Sequence, residues 1–307
     1  MNSIVNYALC LFTCLSITCA SSQATDRGQI KQFLDVDYLE PAIRTDTLRM
    51  LNLFIPQNQE QPPLFIWIGG GAWSYGNKDE ETDFALKLAE KGIAVASLGH
   101  RLSPAIWRDP KLNSGVQHPE HAKDVTSAIA WLCENSKDYG FDSENIFIGG
   151  YSSGAHLAAL VSLDAKYLES KGLSPKLIKG IIPISGTYDI VDYRNVFLNG
   201  DRPELAVQHV EAVFGADYEN WMDGSPVNYL QNLSSPIFLI CDNSLYNYTK
   251  LFEDRIRKTE FRKVTVLYAY DLSHGELWRN LSHSERSIYR DAIIGFIQGL
   301  SDSTKSD

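Results

Sequence analysis

Short apolar runs alternate with longer helical patterns along most of the chain. This alternation is typical of a mostly parallel sheet that is covered by helices. Residues 64–68, Leu-Phe-Ile-Trp-Ile, contain no polar residue, as expected when both faces of the sheet are covered. The predicted strands are residues 48–55, 64–68, 93–98, 145–149, 178–184, 236–241 and 264–269. The predicted helices are residues 83–91, 119–136, 153–163, 248–258 and 284–300.

One α/β domain accounts for the length and the composition. The 307 residues are 44% hydrophobic and 21% charged, so the chain can fill a sizeable core and present an ordinary globular surface. We expect this domain at residues 25–300 and a frayed tail at residues 301–307. Residues 185–235 separate two predicted strands, far more than the ~2–6 residues of a usual loop. Their aromatic residues predict an inserted helical lid at about residues 189–235 that packs over a pocket.

The start of the chain has the layout of a secretory signal peptide. Residues 8–17 are nearly all apolar and small residues follow, whereas residues 1–7 contain no Lys or Arg. The apolar run is too short to span a bilayer, which takes ~20 residues, so no transmembrane span is expected. We expect residues 1–24 to be a signal peptide and the remainder to be exported, to a periplasm or to the outside. The alternatives are lipidation at Cys19 and a buried amino-terminal helix.

Charge and cysteine content exclude several classes of protein. Acidic residues outnumber basic residues 38 to 28, and the chain contains no run of Lys or Arg that could track phosphates. Nucleic acid is therefore not an expected partner. The excess of acidic residues also disfavours electrostatic binding to anionic membranes. Cys10, Cys14 and Cys19 lie in the leader, which leaves Cys133 and Cys241 as buried apolar residues and predicts no disulfide framework.

The sharpest chemical signal is Gly-Tyr-Ser-Ser-Gly at residues 150–154. It follows a predicted strand and opens a predicted helix, and a G-x-S-x-G motif in that context is a nucleophile elbow. The glycines let the backbone turn sharply, so that the Ser152 hydroxyl projects above the sheet. Ser153 supplies a backbone N–H at the start of the helix. The alternative is an ordinary glycine-rich turn.

A second glycine turn, at residues 69–71, directly follows the predicted strand at residues 64–68. Without side chains in this turn, backbone N–H groups can approach a substrate oxygen closely. Each such donor is worth ~2.7–4 kcal/mol in the transition state of acyl transfer. The alternative is a plain loop after a strand.

With these motifs the chain resembles the esterase/lipase branch of the α/β-hydrolase family, near its feruloyl-esterase-like and arylformamidase-like members. The matching stretches are residues 69–73 and 101–104, His118-Pro119 with Asp124, Trp131, Tyr139-Gly140 with Asp142, the elbow, residues 185–189, Ser225-Pro226 and His274-Gly275. Together they cover about residues 46–300, which is nearly the whole chain after the predicted leader. The resemblance implies an α/β-hydrolase fold with a mostly parallel central sheet, helices on both faces and a small helical lid.

The resemblance also implies roles for individual residues. These are Ser152 as the nucleophile, His274 as the base, and the N–H groups of Gly71, Ala72 and Ser153 as the oxyanion hole. At Gly69 the family usually has histidine, whose side chain shapes the loop, so the hole is expected to be slightly altered in this chain. The resemblance implies no metal and no cofactor.

Position in the sequence separates the seven histidines. His274 follows the last predicted strand, as the order of Ser, acid and His in this fold requires of the base. His118 and His121 could suggest a metal pair, but no third ligand of suitable type is nearby, so surface or helix-start roles are preferred. His156 lies inside the helix after the elbow, where packing is the expected role.

The acid of the site has two candidates. Family members usually place it a few residues after the strand predicted at 236–241, but residues 244–245 contain no carboxylate. Asp242 is the nearest candidate. Asp189, which ends the preceding predicted strand, is the alternative, although capping of a turn would be its more ordinary role.

The sequence thus predicts a serine hydrolase that cleaves small-molecule carboxylic esters in two steps. His274 deprotonates Ser152, an acyl-enzyme forms, and water releases the acid. A formamide or other amide hydrolase of the same fold is the alternative within this chemistry. A non-catalytic binding member of the fold is the alternative from another class, and it is supported by the missing acid and by Gly69.

Overall fold

The computed structural model describes residues 30–39 and 47–304, and these residues form one eight-stranded sheet with helices on both faces. Its strands are β1 (Ile30–Asp37), β2 (Met50–Pro56), β3 (Pro63–Ile68), β4 (Ala94–Leu98), β5 (Asp142–Tyr151), β6 (Ile178–Ile184), β7 (Ile237–Asp242) and β8 (Val264–Ala269). Their order is β1-β2-β4-β3-β5-β6-β7-β8. The strand β2 is antiparallel to both of its neighbours, and the other neighbouring strands are parallel. The predicted mostly parallel sheet is therefore confirmed.

Helices connect most of the strands. They are α1 (Thr82–Ala89), α2 (Glu120–Tyr139), α3 (Ser153–Leu163), α4 (Lys166–Glu169), α5 (Ile190–Leu198), α6 (Ala212–Phe214), α7 (Tyr218–Asp223), α8 (Tyr246–Arg257), α9 (His274–Ser282) and α10 (Ile288–Thr304). The helix α10 continues to Thr304, and Ser301 is buried and donates to the Ile297 carbonyl. The predicted frayed tail therefore begins too early, because residues 301–304 are helical.

Both faces of the sheet are buried, which fixes the central strands. On β3, Leu64, Ile66 and Ile68 belong to the core on one face, and Phe65 and Trp67 belong to the core on the other. The helices α2, α3 and α8 cover the first face, and α1, α9 and α10 cover the second. Full burial of an apolar side chain contributes about 1.5–3 kcal/mol. The carboxyl ends of β3 and β5, where the two glycine motifs lie, are therefore held firmly.

Several elements were not predicted, among them the edge strand β1 and the helices α4 and α9. The edge strand β1 has a bulge between Phe33 and Val36, where Asp35 has a φ of 54°, and this bulge breaks the alternation that marks a strand. The helix α9 begins at His274 and is capped by Ser273, whose N–H donates to Glu276 Oε2 at 2.8 Å. This Ser-x-x-Glu capping box is visible in the sequence and could have predicted α9.

The segment predicted as an insertion, residues 189–235, is helical and contains α5, α6 and α7. A π-helical stretch, Ala206–Glu211, precedes α6. The aromatic rings of this segment pack on Trp73, with Tyr193 at 6.3 Å and Phe214 at 5.2 Å between ring centroids. The segment therefore lies against the loop that follows β3, and its action as a lid stays a prediction.

The predicted signal peptide, residues 1–24, lies outside the described residues, so export stays a prediction. Among the residues that are described, no helix combines the length and the apolar character needed to cross a membrane. Of the two cysteines beyond the leader, Cys241 is buried and Cys133 is half-buried, and neither forms a disulfide.

Candidate active site

The turn between β5 and α3 holds Ser152 in a strained backbone conformation. Its φ of 55° and ψ of −118° lie outside the regions that ordinary side chains occupy. A Cβ added to Gly150 would lie 2.5 Å from the backbone of Gly154, and one added to Gly154 would lie 2.0 Å from the Ile68 carbonyl oxygen. The Ser152 amide donates to the Ile184 carbonyl at 2.9 Å, which ties the turn to β6. Only glycine at both positions permits this turn.

His274 and Asp242 form a hydrogen-bonded pair beside this turn. The distance from His274 Nδ1 to Asp242 Oδ2 is 2.8 Å. The Asp242 side chain is fully buried, whereas that of His274 is 34% exposed. Because a carboxylate can only accept, Nδ1 carries the proton and Nε2 is left as the acceptor. The ring is thus oriented with its basic nitrogen away from the acid.

Directed hydrogen bonds surround Asp242. Its Oδ1 accepts from the amides of Ser244 at 2.8 Å and Leu245 at 3.0 Å, and its own amide donates to Ser185 Oγ at 3.0 Å. Burial by itself raises the pKa of Asp242, but the hydrogen bonds to the carboxylate and the neighbouring His274 outweigh burial and lower it. Asp242 is therefore held in its charged form.

Tyr151, the residue before Ser152, touches both members of this pair. Its hydroxyl donates to the His274 carbonyl oxygen at 2.5 Å and lies 3.4 Å from Asp242 Oδ2. The Tyr151 and His274 rings stack with their centroids 4.8 Å apart. Burial and the Asp242 charge raise the pKa of the Tyr151 hydroxyl, which keeps it a hydrogen-bond donor. The elbow therefore positions His274 as well as Ser152.

The hydrogen bond that a Ser-His-Asp triad would have between Ser152 and His274 is not formed among the described residues. Among the described residues, His274 bonds to Asp242, Tyr151 and Ser244, and it makes no hydrogen bond to the Ser152 hydroxyl. Bonds of this kind are often long in a free enzyme and tighten when substrate binds. The arrangement therefore brings together His274 and Asp242, the predicted base and acid, with Ser152 next in the chain to Tyr151.

The loop after β3 passes over the elbow. A Cβ added to Gly70 would lie 3.4 Å from Ser152 Cβ. Gly71 and Ala72 have positive φ angles of 126° and 51°. Within the described part of the chain their amides have no hydrogen-bond acceptor, and Ser153 is the first residue of α3, where an amide has no intrahelical acceptor. These three amides, named here the free amides, are available to a substrate oxygen.

His156 connects this loop to the insertion. It is fully buried, as predicted. Trp73 Nε1 donates to its Nδ1 at 3.2 Å, so its Nε2 carries the proton and donates to the Gly224 carbonyl at 2.7 Å. Burial lowers the pKa of His156 to about 3. The neutral His156 side chain thus links Trp73, in the loop after β3, to Gly224 at the end of α7.

Asp189 occupies a different kind of place from Asp242. It precedes α5 and its Oδ1 accepts from the Asp192 amide at 3.0 Å, which is an N-cap. Its carboxylate therefore bonds to a helix start, whereas the carboxylate that bonds to His274 is that of Asp242.

His118 and His121 face separate partners. His118 Nε2 lies 2.8 Å from Asp223 Oδ2, and His121 Nε2 lies 2.9 Å from Ser103 Oγ. In residues 30–39 and 47–304, no group of three or more His, Cys, Asp or Glu side chains is placed to hold a metal ion. The two histidines therefore contribute to packing around α2.

Comparison with known proteins relates this site to esterases. The BD-FAE family model matches residues 51–244. The chain is 28% identical over 216 residues to LipM of Mycobacterium tuberculosis, a probable carboxylic ester hydrolase, with coverage of 67% of this chain and 47% of LipM. It is 33% identical over 164 residues to ICME of Oryza sativa subsp. japonica, a probable isoprenylcysteine alpha-carbonyl methylesterase. This match covers 48% of this chain and 37% of ICME. The chain spans less than half the length of either relative.

A solved structure supports the same fold. Esterase B from Lactobacillus Rhamnosis matches with a TM-score of 0.75 and 22% sequence identity, over 90% of this chain and 88% of that chain. At this identity the likeness bears on the fold alone. Together with the strand order, it confirms the predicted α/β-hydrolase fold.

Proposed function

The chain belongs to the BD-FAE family, and from this membership and the geometry around Ser152 we propose that it is a serine hydrolase that cleaves carboxylic esters. The observation that carries the proposal is the 2.8 Å bond from His274 to the buried Asp242, next to a strained elbow. A glycine turn alone could be structural. Here the turn lies beside His274, which the buried Asp242 orients. A serine, a base and a carboxylate in this arrangement are the groups that acyl transfer needs.

In the first half of the reaction, Ser152 Oγ attacks the ester carbonyl carbon and gives its proton to His274 Nε2. Asp242 stabilises the imidazolium that results. The carbonyl oxygen becomes an oxyanion, which the free amides bind. The bond from carbon to the alcohol oxygen then breaks, and His274 returns the proton to the leaving alcohol.

In the second half, water takes the place of the alcohol. His274 removes a proton from the water, whose oxygen attacks the acyl carbon. The bond to Ser152 Oγ breaks, the carboxylic acid leaves, and the serine regains its proton. No group beyond these side chains and amides takes part in the proposed steps.

The relatives favour an ester over the alternatives. LipM is named a carboxylic ester hydrolase and ICME a methylesterase, so both names support ester cleavage over formamide cleavage. The non-catalytic alternative rested in part on a missing acid, and the bond from His274 to Asp242 weighs against that reasoning.

Substitution of the nucleophile tests the proposal. Ser152→Ala should abolish hydrolysis of p-nitrophenyl esters, with a loss of ~10⁶-fold in kcat, and should also abolish labelling by a fluorophosphonate probe. Ser162→Ala is the matched control, because Ser162 lies on α3 and, among the described residues, its hydroxyl bonds only to the Ala158 carbonyl. It should keep both activities. Turnover by a correctly folded Ser152→Ala variant would contradict the proposal, and a wild-type chain that neither labels nor cleaves any ester would favour a binding protein.

The lid is a second proposal about the same site. We propose that residues 189–235 cover the substrate, because their rings pack on Trp73 and because Gly224 accepts a bond from His156. Deletion or cross-linking of this segment should change the chain-length preference for esters. An unchanged preference would argue against a lid.

Export is also proposed. The apolar residues 8–17 and the small residues after them support removal of a leader. The intact mass of the protein from its natural host distinguishes cleavage after Ala20 or Ala24 from lipidation at Cys19. A chain with residues 1–24 intact would contradict cleavage.

A further inference from the structure

A buried carboxyl lies directly behind the loop that carries the free amides. Glu81 ends the short helix Lys78–Glu81 and is 3% exposed. Its Oε2 accepts a hydrogen bond from Trp67 Nε1 on β3 at 2.7 Å. A Cβ added to Gly69 would lie 2.7 Å from Glu81 Oε1 and 3.1 Å from its Cδ. The Glu81 head group thus fills the space that any side chain at position 69 would need.

The same carboxyl reaches the helix that begins at the base. Trp278 lies four residues after His274 on α9, and its indole acts on the Glu81 carboxyl as a hydrogen-bond donor that lowers the pKa. The helix α1, which follows Glu81 directly, packs against α9. Glu81 therefore lies at the junction of β3, the loop that starts at Gly69, and α9.

We propose that Glu81 is a positioning residue of the ester-hydrolase site and that it acts as a neutral acid. Its uncharged head group fills the space behind Gly69 and holds the loop and α9 in the arrangement that binds the oxyanion. The inference rests on the proposed function. A negative charge at this place would oppose the charge that develops on the substrate oxygen, because Gly69 lies two residues before Gly71 and buried charges are poorly screened.

Burial keeps the Glu81 carboxyl protonated at pH values below its pKa of about 7. Burial raises the pKa of Glu81 to about 7, although hydrogen bonds from Trp67 and Trp278 act to lower it. Two neighbouring groups act on this pKa through their charge: Glu80 raises it and His283 lowers it. Lys78 is paired with Asp35 and Asp79, and His283 is itself paired with Asp83.

This arrangement predicts an alkaline decline in activity. As the pH rises through about 7, Glu81 loses its proton and places a charge behind the loop. We expect kcat of the wild type, divided by kcat of Glu81→Gln at the same pH, to fall about tenfold between pH 6 and pH 9, since the oxyanion is then less well stabilised in the wild type. KM should change little, because the charge acts on the transition state and not on substrate binding.

Glu81→Gln tests the proposal directly. Glutamine keeps the size and an oxygen acceptor for Trp67 but cannot ionise. The variant should match wild-type kcat at pH 6 within about threefold and should lack the alkaline decline. Glu80→Gln is the matched control, because Glu80 is the exposed neighbouring carboxylate. It should keep the decline, moved to slightly lower pH because the Glu80 charge no longer raises the pKa of Glu81. An alkaline decline of equal size in Glu81→Gln and the wild type would overturn the proposal.

Two variants test the steric contact between position 69 and Glu81 independently of pH. Gly69→Ala should lower kcat, because its methyl group collides with Glu81, and the double variant Gly69→Ala/Glu81→Ala should recover part of the loss. A double variant no better than Gly69→Ala would contradict the steric argument.

Labelling of Ser152 by a fluorophosphonate separates this inference from the function on which it rests. A chain that cleaves no ester but whose labelling rate declines above pH 7, and does not decline in Glu81→Gln, would support the role of Glu81 while the ester assignment fails. Ester cleavage with the same pH dependence of labelling in both proteins would retain the ester assignment and reject the role of Glu81.

Discussion

The two sides of Ser152 are organised by different physical effects. On the base side, Asp242 is surrounded by hydrogen bonds from His274 and from the amides of Ser244 and Leu245. On the oxyanion side, space is decisive: a Cβ added to Gly71 would lie 2.3 Å from the backbone of the turn it closes. The base side should therefore be sensitive to changes in charge and hydrogen bonding, and the oxyanion side to the addition of a single methyl group.

Among substitutions on the two sides of Ser152, the largest effect is expected from Asp242, the proposed acid. Asp242→Asn keeps the size of the side chain but removes the charge that orients and stabilises His274, so kcat should fall ~10⁴-fold. Asp189→Asn is the matched control, because Asp189 caps α5, and its loss of kcat should stay below about tenfold. Kinetics of both variants, with circular dichroism to verify folding, provide the measurement. A larger loss for a folded Asp189 variant would assign the acid to Asp189, and losses below about tenfold in both would indicate a Ser-His dyad.

The next effect tests the role of space on the oxyanion side. Gly71→Ala adds a methyl group at a φ of 126° and within 2.3 Å of the Gly76 amide nitrogen, so the loop must shift. We expect a loss of ~10²–10³ in kcat, the effect of one misplaced oxyanion donor. Gly172→Ala is the control, because its φ is 69° and no atom lies within 4 Å of an added Cβ. If both variants lose activity equally, backbone strain and not space explains the result.

Low pH should reduce folding stability through a histidine on the oxyanion side. Burial lowers the pKa of His209, in the insertion, to about 4. The unfolded chain binds this proton near pH 6.5, so folding stability falls as the pH drops below 6.5, by about 2 kcal/mol at pH 5. His209→Gln cannot bind the proton and should lose correspondingly less stability between pH 7 and pH 5 in denaturant titrations. The exposed His283 offers the control His283→Gln. An identical loss in His209→Gln and the wild type would contradict this linkage.

The smallest effect concerns the support of the acid. Ser185 is fully buried with a φ of 51°, and its Oγ accepts the Asp242 amide. Ser185→Ala leaves that amide without an acceptor, and we expect a loss of about tenfold in kcat, or ~1.4 kcal/mol. Ser185→Gly relieves the strain but also lacks the acceptor. Equal losses in both variants indicate the hydrogen bond as the cause, whereas recovery in Ser185→Gly would indicate backbone strain.

Local pattern in the sequence was enough to predict much of the fold and part of the site. The helix predicted at 153–163 is α3, with the same bounds, and the predicted strands overlap β2 to β8. The turn at Ser152 could be predicted because residues 150–154 and their flanking elements are contiguous in the chain. Periodicity and turn chemistry act over a few residues, so they can be read from neighbouring positions.

Contacts between distant residues decided the rest. The sequence left Asp242 and Asp189 as alternatives, and only the packing of β7 beside β6 brings Asp242 to Tyr151, 91 positions away. Trp73 meets His156 across 83 positions, and Glu81 occupies the space beside Gly69, where its carboxyl accepts a hydrogen bond from Trp67 on β3. Side-chain pairing of this kind depends on the whole core, since burial and volume are shared by residues that no local pattern connects.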